Sequence, residues 1–354
     1  MKVNLPSVED FNIQDVIIAG DECVLITPNK KQDLVWTEDN KFFRSSIWRK
    51  QDMHPVSLGF RKFTNLHEQP HFESIGEYDD LEFVRKMDGT LAILSFWKGE
   101  IIFRTRNRAD VTTLKNGAEL EFLKQKYPKV FALKDPTHSL LFEWTTPSNR
   151  IVLEETKEPT LWLIGTVRHS DYYYFEQREL DQIARELDVP RPERYSVNKE
   201  TLYQLLEEKN ELIEGVVIYA NKGQFLKKVK TSRYLHLHKV FTGIKTFSNM
   251  LNFWVSSGKP DMETFKLYIK QNYHSVLLLS WKPLLEELEH KYNAVNDKIK
   301  SVDRYVLSLK EINLDRKEMA EMIKSEFSSV WQKIAFGLLS NKRNFKIEDL
   351  MSEM

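Results

Sequence analysis

Lys86, Asp88 and Gly89 sit in FVRKMDGTLAIL, a charged cluster inside a run of long apolar residues. A lysine amine at a strand edge, followed by a sharp turn, can serve as a nucleophile. It can attack the α-phosphate of a nucleoside triphosphate and hold the nucleotide as a phosphoramidate. The amine must first lose its proton, and neighbouring cations with partial burial are expected to lower its pKa from about 10.4. The turn is expected to let the backbone come close to the nucleotide. A solvated lysine beside a tight turn would show the same residues, so the cluster alone assigns nothing.

That chemistry also needs cations for the phosphates, and carboxylates for ribose and metal. The chain supplies both in order. IIFRTRNR carries Arg104, Arg106 and Arg108 at alternate positions, which on a strand share one face. Glu143 lies inside LLFEWTTPSNRIVL, where alternation allows either a costly buried carboxylate or an exposed residue on an edge strand. Glu214 opens the apolar run ELIEGVVIYA, and Lys228 and Lys230 follow two apart in FLKKVKTSRY. From Gly215 to Pro260 there is no acidic residue, while eight lysines and arginines are present, as a polyanion-binding segment would have. His236 and His238 in YLHLHK would face one metal on a strand, but no cysteine or close carboxylate completes a site.

The elements that must position these groups change character near residue 245. Before it, β-branched and aromatic runs alternate with turn signals. Leu91–Trp97 and Ile101–Arg104 read as a hairpin, as do Glu214–Ala220 and Gln224–Lys230. Ser139–Trp144, Leu161–Val167 and Tyr172–Phe175 read as further strands. Gly117–Lys126, Glu179–Leu187 and Lys199–Glu208 read as helices. The sum is an α+β domain with mostly antiparallel pairing. Beyond residue 260 the pattern is helical, broken only by Pro283. After it, Leu285, Leu288, Tyr292, Val295, Ile299, Val302, Val306 and Leu309 form a narrow stripe, as in a helical hairpin or short coiled coil. Asp315 and Glu318 form a capping box for a helix from Arg316 to about Ala335. Two domains are expected, 1–243 and 244–354.

Lysine plus arginine and aspartate plus glutamate both number 52, so the net charge is zero. That argues against a generic nucleic-acid coat and leaves room for a local basic groove. With Cys23 the single cysteine, neither an internal disulfide nor a thiolate zinc cluster can form, and a reducing compartment, the cytoplasm, is expected. MKVNLPSVEDFNIQD has acidic residues where a secretion signal needs an apolar core, and no run is long enough to span a bilayer.

Taken in order, KMDG, FRTR, FEWTTPSNRIV, EGVVI and KKVK resemble the covalent nucleotidyltransferase superfamily, and more narrowly its phage-type RNA ligase 1 family. Phe43–Trp48, FRSSIW, resembles that family's arginine segment. FRKFTNL, Phe60–Leu66, resembles its K-F-x-N-L segment. The resemblance implies that Lys86 becomes a lysyl-AMP. Arg44, Lys62 and Arg106 would contact ATP, Glu143 the ribose, and Glu214 a Mg2+ or Mn2+ ion or the lysine. Lys228 and Lys230 would neutralise the α-phosphate. The substrate implied is RNA with 5′-phosphate and 3′-hydroxyl ends, such as broken tRNA in a repair role, with a separate enzyme healing the ends and no membrane partner. Two positions depart from the pattern: Arg106-Asn107 stands where lysine-glycine is usual, and Ser45 stands where glycine is usual. DNA ligases and capping enzymes share the lysine chemistry. They carry a β-barrel after the last lysine motif, which this Gly- and Pro-poor helical tail cannot build. A binding module that lost its chemistry would not need the lysine, both glutamates and both late lysines together.

Overall fold

The computed structural model describes residues 4–29, 34–66, 80–196, 213–273, 275–312 and 314–352. The chain divides into two compact units, 1–238 and 239–354. The division falls inside the helix Ser232–Gly243 rather than at its end, where the sequence had placed it.

The first unit contains three sheets. Strands β1 (Phe11–Ile18), β2 (Asp21–Pro28), β3 (Ser46–Arg49) and β4 (Pro55–Leu58) form an antiparallel meander. The second sheet has the order β10-β9-β7-β8, all antiparallel, from β7 (Thr90–Trp97), β8 (Glu100–Thr105), β9 (His138–Thr145) and β10 (Thr160–Arg168). The third has the order β11-β6-β12-β13-β5. It uses β5 (Thr64–Asn65), β6 (Glu82–Lys86), β11 (Arg194–Tyr195), β12 (Gly215–Ala220) and β13 (Phe225–Lys230), with β5 alone parallel to its neighbour. The β7–β8 turn places Lys98 and Gly99 at φ 43° and 92°, the geometry that matches the strands' right-handed twist.

The second sheet is covered on both faces. Ala92, Leu94, Leu140 and Phe142 pack with Leu123 of α1 (Leu120–Lys126), Val130 of α2 (Pro128–Phe131) and Leu180 of α3 (Gln177–Leu187). Ile93 and Leu141 point the other way, into a core shared with Trp48, Leu58, Val84 and Leu226 of the other two sheets. Burial on both faces explains why these strands read as continuous apolar runs. Tyr172–Phe175 is not a strand. Tyr172 has φ 59° and only Tyr174 bridges back to Val167, because the Tyr172 hydroxyl is drawn inward to the carbonyl of Gly59. The expected helix Lys199–Glu208 lies outside the described residues.

Helix α4 (Ser232–Gly243) follows β13. The second unit holds α5 (Phe247–Ser256), α6 (Met262–Asn272), α7 (Ser275–Glu311), α8 (Arg316–Glu326), α9 (Ser329–Leu339) and α10 (Ile347–Ser352). Pro283 does not break α7, which runs through it for 37 residues. The stripe of Leu288, Val295, Val302, Val306 and Leu309 is fully buried, and α5, α6, α9 and α10 all pack on α7. The stripe is the core of a helical unit rather than a two-stranded seam. The Asp315–Glu318 capping box forms, but the helix it opens stops at Glu326. Ser328 is extended and precedes α9 without a side-chain cap bond, and the Gln332 amide donates to the carbonyls of Lys324 and Phe327 that the break frees. Among the described residues no helix is long and apolar enough to cross a membrane.

Leu288→Ala should cost the second unit about 2–5 kcal/mol, because it opens a cavity on a fully buried stripe. A urea midpoint equal to the parent's would contradict this packing.

Candidate active site

Lys86 ends β6, Gly215 starts β12 and Lys230 ends β13, and the register pairs Gly215 with both lysines. Glu214, one residue before β12, therefore lies between two amines. Its carboxylate accepts from Lys86 Nζ at 2.7 Å and Lys230 Nζ at 2.9 Å, and its side chain is almost wholly buried. The strands can approach this closely because residue 215 is glycine: a Cβ there would stand 1.9 Å from the Val229 carbonyl oxygen.

The turn after Lys86 is tied down at Asp88. The buried Asp88 carboxylate accepts from the backbone N–H of Val152 at 2.8 Å, that of Leu153 at 2.7 Å and the Tyr234 hydroxyl at 2.7 Å. Asp88's own N–H donates to Glu155, which is paired with Arg85 at 2.8 Å. Gly89 presses against β9. A Cβ would meet the Trp144 carbonyl oxygen at 2.6 Å, and the Gly89 N–H donates to Glu143 Oε1 at 3.1 Å. The glycine is thus required by the neighbouring strand, beyond the approach to a nucleotide that the sequence suggested. Asp88 and Glu155 carry this architecture, and sequence reasoning missed both roles because their partners lie more than sixty residues away in the chain.

A cavity of about 580 Å³ opens beside Lys86. Val84, Leu91, Ile164, Val217 and Leu226 give it an apolar part, and Arg44, Arg106, Lys228 and Lys230 a cationic one, with Glu143 on its wall. Arg44, Arg106 and Lys228 have no carboxylate ion-pair partner among the described residues; Arg44 and Lys228 lie against the ring of Phe63. His238, on α4, lines the same cavity. Two residues apart on a helix, His236 and His238 diverge, so they are not the shared metal pair that a strand would make. Lys62 does not line the cavity; it stands over the Trp36 ring at 5.6 Å in an adjoining groove with Lys41 and Arg61.

The arginines at 104, 106 and 108 do not share a face. β8 ends at Thr105 and the chain folds back so that Arg108 bridges Thr105. Arg104 is fully buried, Arg106 faces the cavity, and Arg108 is exposed and bonded to Thr113. The acid-free segment does not present one basic face either, since Lys227 is buried and donates to Thr64 at 2.7 Å.

Electrostatics reverse one expectation. Burial pushes the Lys86 amine down, but Glu214 and Glu143 outweigh it, and its pKa lies above the ordinary lysine value. The lowered lysine is Lys228, which burial and then Arg44, Lys86 and Lys62 push down to about 8. Arg44 falls to about 10 through burial and then Arg106. Burial drives Glu143 up to about 7 against the pull of Lys86, with Glu214 adding to the rise.

The family described as RNA ligase matches residues 43–236, more than half of the chain. The chain belongs to the RNA ligase family. A curated relative, the putative bifunctional polynucleotide kinase/RNA ligase of Autographa californica nuclear polyhedrosis virus, is 26% identical over 206 residues. The match covers 52% of this chain and 29% of that protein, so the chain spans less than a third of the relative's length. Solved structures similar to it include a Naegleria gruberi RNA ligase mutant with ATP and Mn (17% identity, 64% of this chain and 76% of that one, TM-score 0.39). An archaeal ATP-dependent RNA ligase is similar over 94% of this chain and 93% of that one, at 14% identity and TM-score 0.45.

Asp88→Ala should cost at least about 3 kcal/mol in chemical denaturation, since three donors lose one buried acceptor. Glu143 gives a pH signature. Its folded pKa is raised, so the folded chain holds this proton more tightly than the unfolded chain. The stability this provides is present at low pH and is lost as pH rises through about 7. Glu143→Gln should therefore gain stability over the parent at about pH 8, with the gap narrowing toward about pH 4. Urea midpoints showing a pH-independent gap would contradict the burial of this carboxyl.

Proposed function

We propose that this chain is an ATP-dependent RNA ligase that joins a 5′-phosphate end to a 3′-hydroxyl end through a lysyl-AMP on Lys86. One observation carries the reading. Lys86 borders a cavity whose lining combines apolar side chains, Val84, Leu91, Ile164, Val217 and Leu226, with three cations, Arg44, Arg106 and Lys228, that have no carboxylate ion-pair partner among the described residues. A purine suits the first environment and a triphosphate the second.

In the free protein Lys86 is held protonated by the carboxylates beside it. Glu214 is within hydrogen-bond reach and is positioned to take that proton. The Lys86 amine then bonds the α-phosphorus, the bond from that phosphorus to the bridging oxygen breaks, and pyrophosphate leaves with the electron pair. An oxygen of the RNA 5′-phosphate next attacks the same phosphorus and releases the lysine. Finally the 3′-hydroxyl attacks the RNA phosphorus and AMP departs. Lys228 and Lys230 neutralise charge at the α-phosphate, Arg44 and Arg106 hold the outer phosphates with Lys62 behind them, and Glu143 holds the ribose.

Magnesium or manganese fits this site as a companion of the nucleotide. Among the described residues no three metal-ligating side chains come together. Mg2+ typically takes only one or two carboxylates and fills its shell with phosphates and water, and Glu143 and Glu214 are the carboxylates at hand. Bound there, it would neutralise the phosphates and the departing pyrophosphate.

Broken tRNA is the proposed substrate, in the cytoplasm, with a separate kinase supplying the 5′-phosphate. The kinase/ligase name of the viral relative supports a link to end healing. The helical unit from about residue 244 is proposed to select the RNA.

Incubation with α-labelled ATP and a divalent metal, then denaturing electrophoresis, should label the chain. Lys86→Ala should abolish the label, and Lys86→Arg should do no better, because a guanidinium is hardly ever deprotonated. Label retained by Lys86→Ala would refute the assignment.

A further inference from the structure

Below the cavity lies a charge that the reaction does not use. Arg104 is fully buried and, among the described residues, has no acidic partner. Its Nε donates to Ser57 Oγ at 2.7 Å, and its Nη2 to the carbonyls of Ser57 at 3.0 Å and Ser45 at 3.2 Å. Its Nη1 donates to Ser45 Oγ at 3.0 Å and the Thr105 carbonyl at 3.2 Å. The network continues from Ser57 through Ser95 and Ser139 to Nε2 of His169, each step 2.7 Å. Burying an uncompensated guanidinium is costly, and only a complete set of acceptors makes it tolerable.

Ser45 is where this network meets the cavity. Its hydroxyl accepts from Arg104 and donates to the main-chain carbonyl of Arg106 at 3.0 Å. Its own carbonyl accepts from Arg104 and from the Gly59 N–H at 2.9 Å. Ser45 directly follows Arg44. Ser45 itself does not line the cavity, yet the two arginines on either side of its bonds both do. The one hydroxyl therefore joins the segment carrying Arg44 to the turn carrying Arg106, across sixty-one residues of chain.

We propose that Ser45, seated on buried Arg104, is a positioning residue that sets Arg106 against Arg44, so that the two guanidiniums grip one phosphate chain as a clamp. The inference rests on the ATP reading above. Like charges held near each other fit an anion bound between them, and each arginine offers a planar fork for phosphate oxygens. A glycine at position 45 would leave both the Arg106 carbonyl and one Arg104 N–H without this partner. The serine at 45 and the arginine at 106, the two departures noted in the sequence, are on this view one device: the serine fixes the backbone from which the longer fork reaches.

The test is a double-mutant cycle read as the ATP concentration for half-maximal self-labelling. Ser45→Ala should raise it about five- to twentyfold in the parent, the scale of one well-placed hydrogen bond to a charged array. In an Arg106→Ala background the same change should move it less than about twofold, because the hydroxyl acts through Arg106. An equal cost in both backgrounds, or no cost in the parent, overturns the proposal, since a merely structural serine would be blind to Arg106. Ser45→Cys fills the same space with a poor hydrogen-bonding group and carries the cycle if the alanine variant does not fold. A parent chain that takes no label overturns the ATP reading and the clamp together; a labelled parent with an additive cycle overturns the clamp alone.

Discussion

Glu214 between Lys86 and Lys230 is the interaction on which the site depends. Three neighbouring strands meet at this carboxylate, and it lies between two amines that would otherwise repel at short range. Removing it would take the hydrogen-bonded carboxylate from two half-buried ammonium groups at once, a larger loss than the net worth of either pair. The strand register brings the groups together and Gly215 allows the approach. The position of Lys86 is therefore a property of the sheet, and little ordering of this side chain remains to be done on binding.

The surrounding charges are arranged unevenly. Glu143 and Glu214 crowd Lys86, while Arg44 and Lys228 are near other cations and, like Arg106, have no carboxylate ion-pair partner among the described residues. Arg44 and Lys228 are shifted down, in the direction that phosphates beside them would reverse. The same binding event would bring positive metal charge toward Glu143 and Glu214, weakening their hold on the Lys86 proton. The folded chain spends stability on a site that is unsatisfied until it is occupied, which is the common cost of preorganisation.

Local chemistry made much of this legible in the sequence. The hairpins at Lys98-Gly99 and Asn221–Gly223 and the Asp315–Glu318 capping box are short-range signals, and they formed where the residues called for them. The narrow apolar stripe beyond Pro283 pointed to a helix face, though only packing showed it to be the centre of a helical unit. What failed depended on distant partners. Alternation put Arg104, Arg106 and Arg108 on one face, but the strand ends between the first two and folds back before the third. Neighbouring cations and burial point to a lowered Lys86, but the carboxylates that outweigh them, Glu143 and Glu214, come from β9 and from the edge of β12. Neither Ser45 beneath Arg106 nor Tyr234 on Asp88 has any local signature.

Asp88 shows why the lysine and the aspartate two residues later form one unit. The lysine faces the cavity; the aspartate faces the interior and gathers the Val152–Leu153 segment and helix α4 onto the turn. Through Tyr234 the same carboxylate fixes the start of α4, whose His238 reaches the cavity wall and stacks at 5.8 Å on the Tyr234 ring. A shift of the turn after Lys86 would thus move the Val152–Leu153 segment and the start of α4 together. Cooperative coupling of that kind lets one buried acceptor hold several long-range contacts in register, where separate pairs would each have to offset the entropy of their own loop.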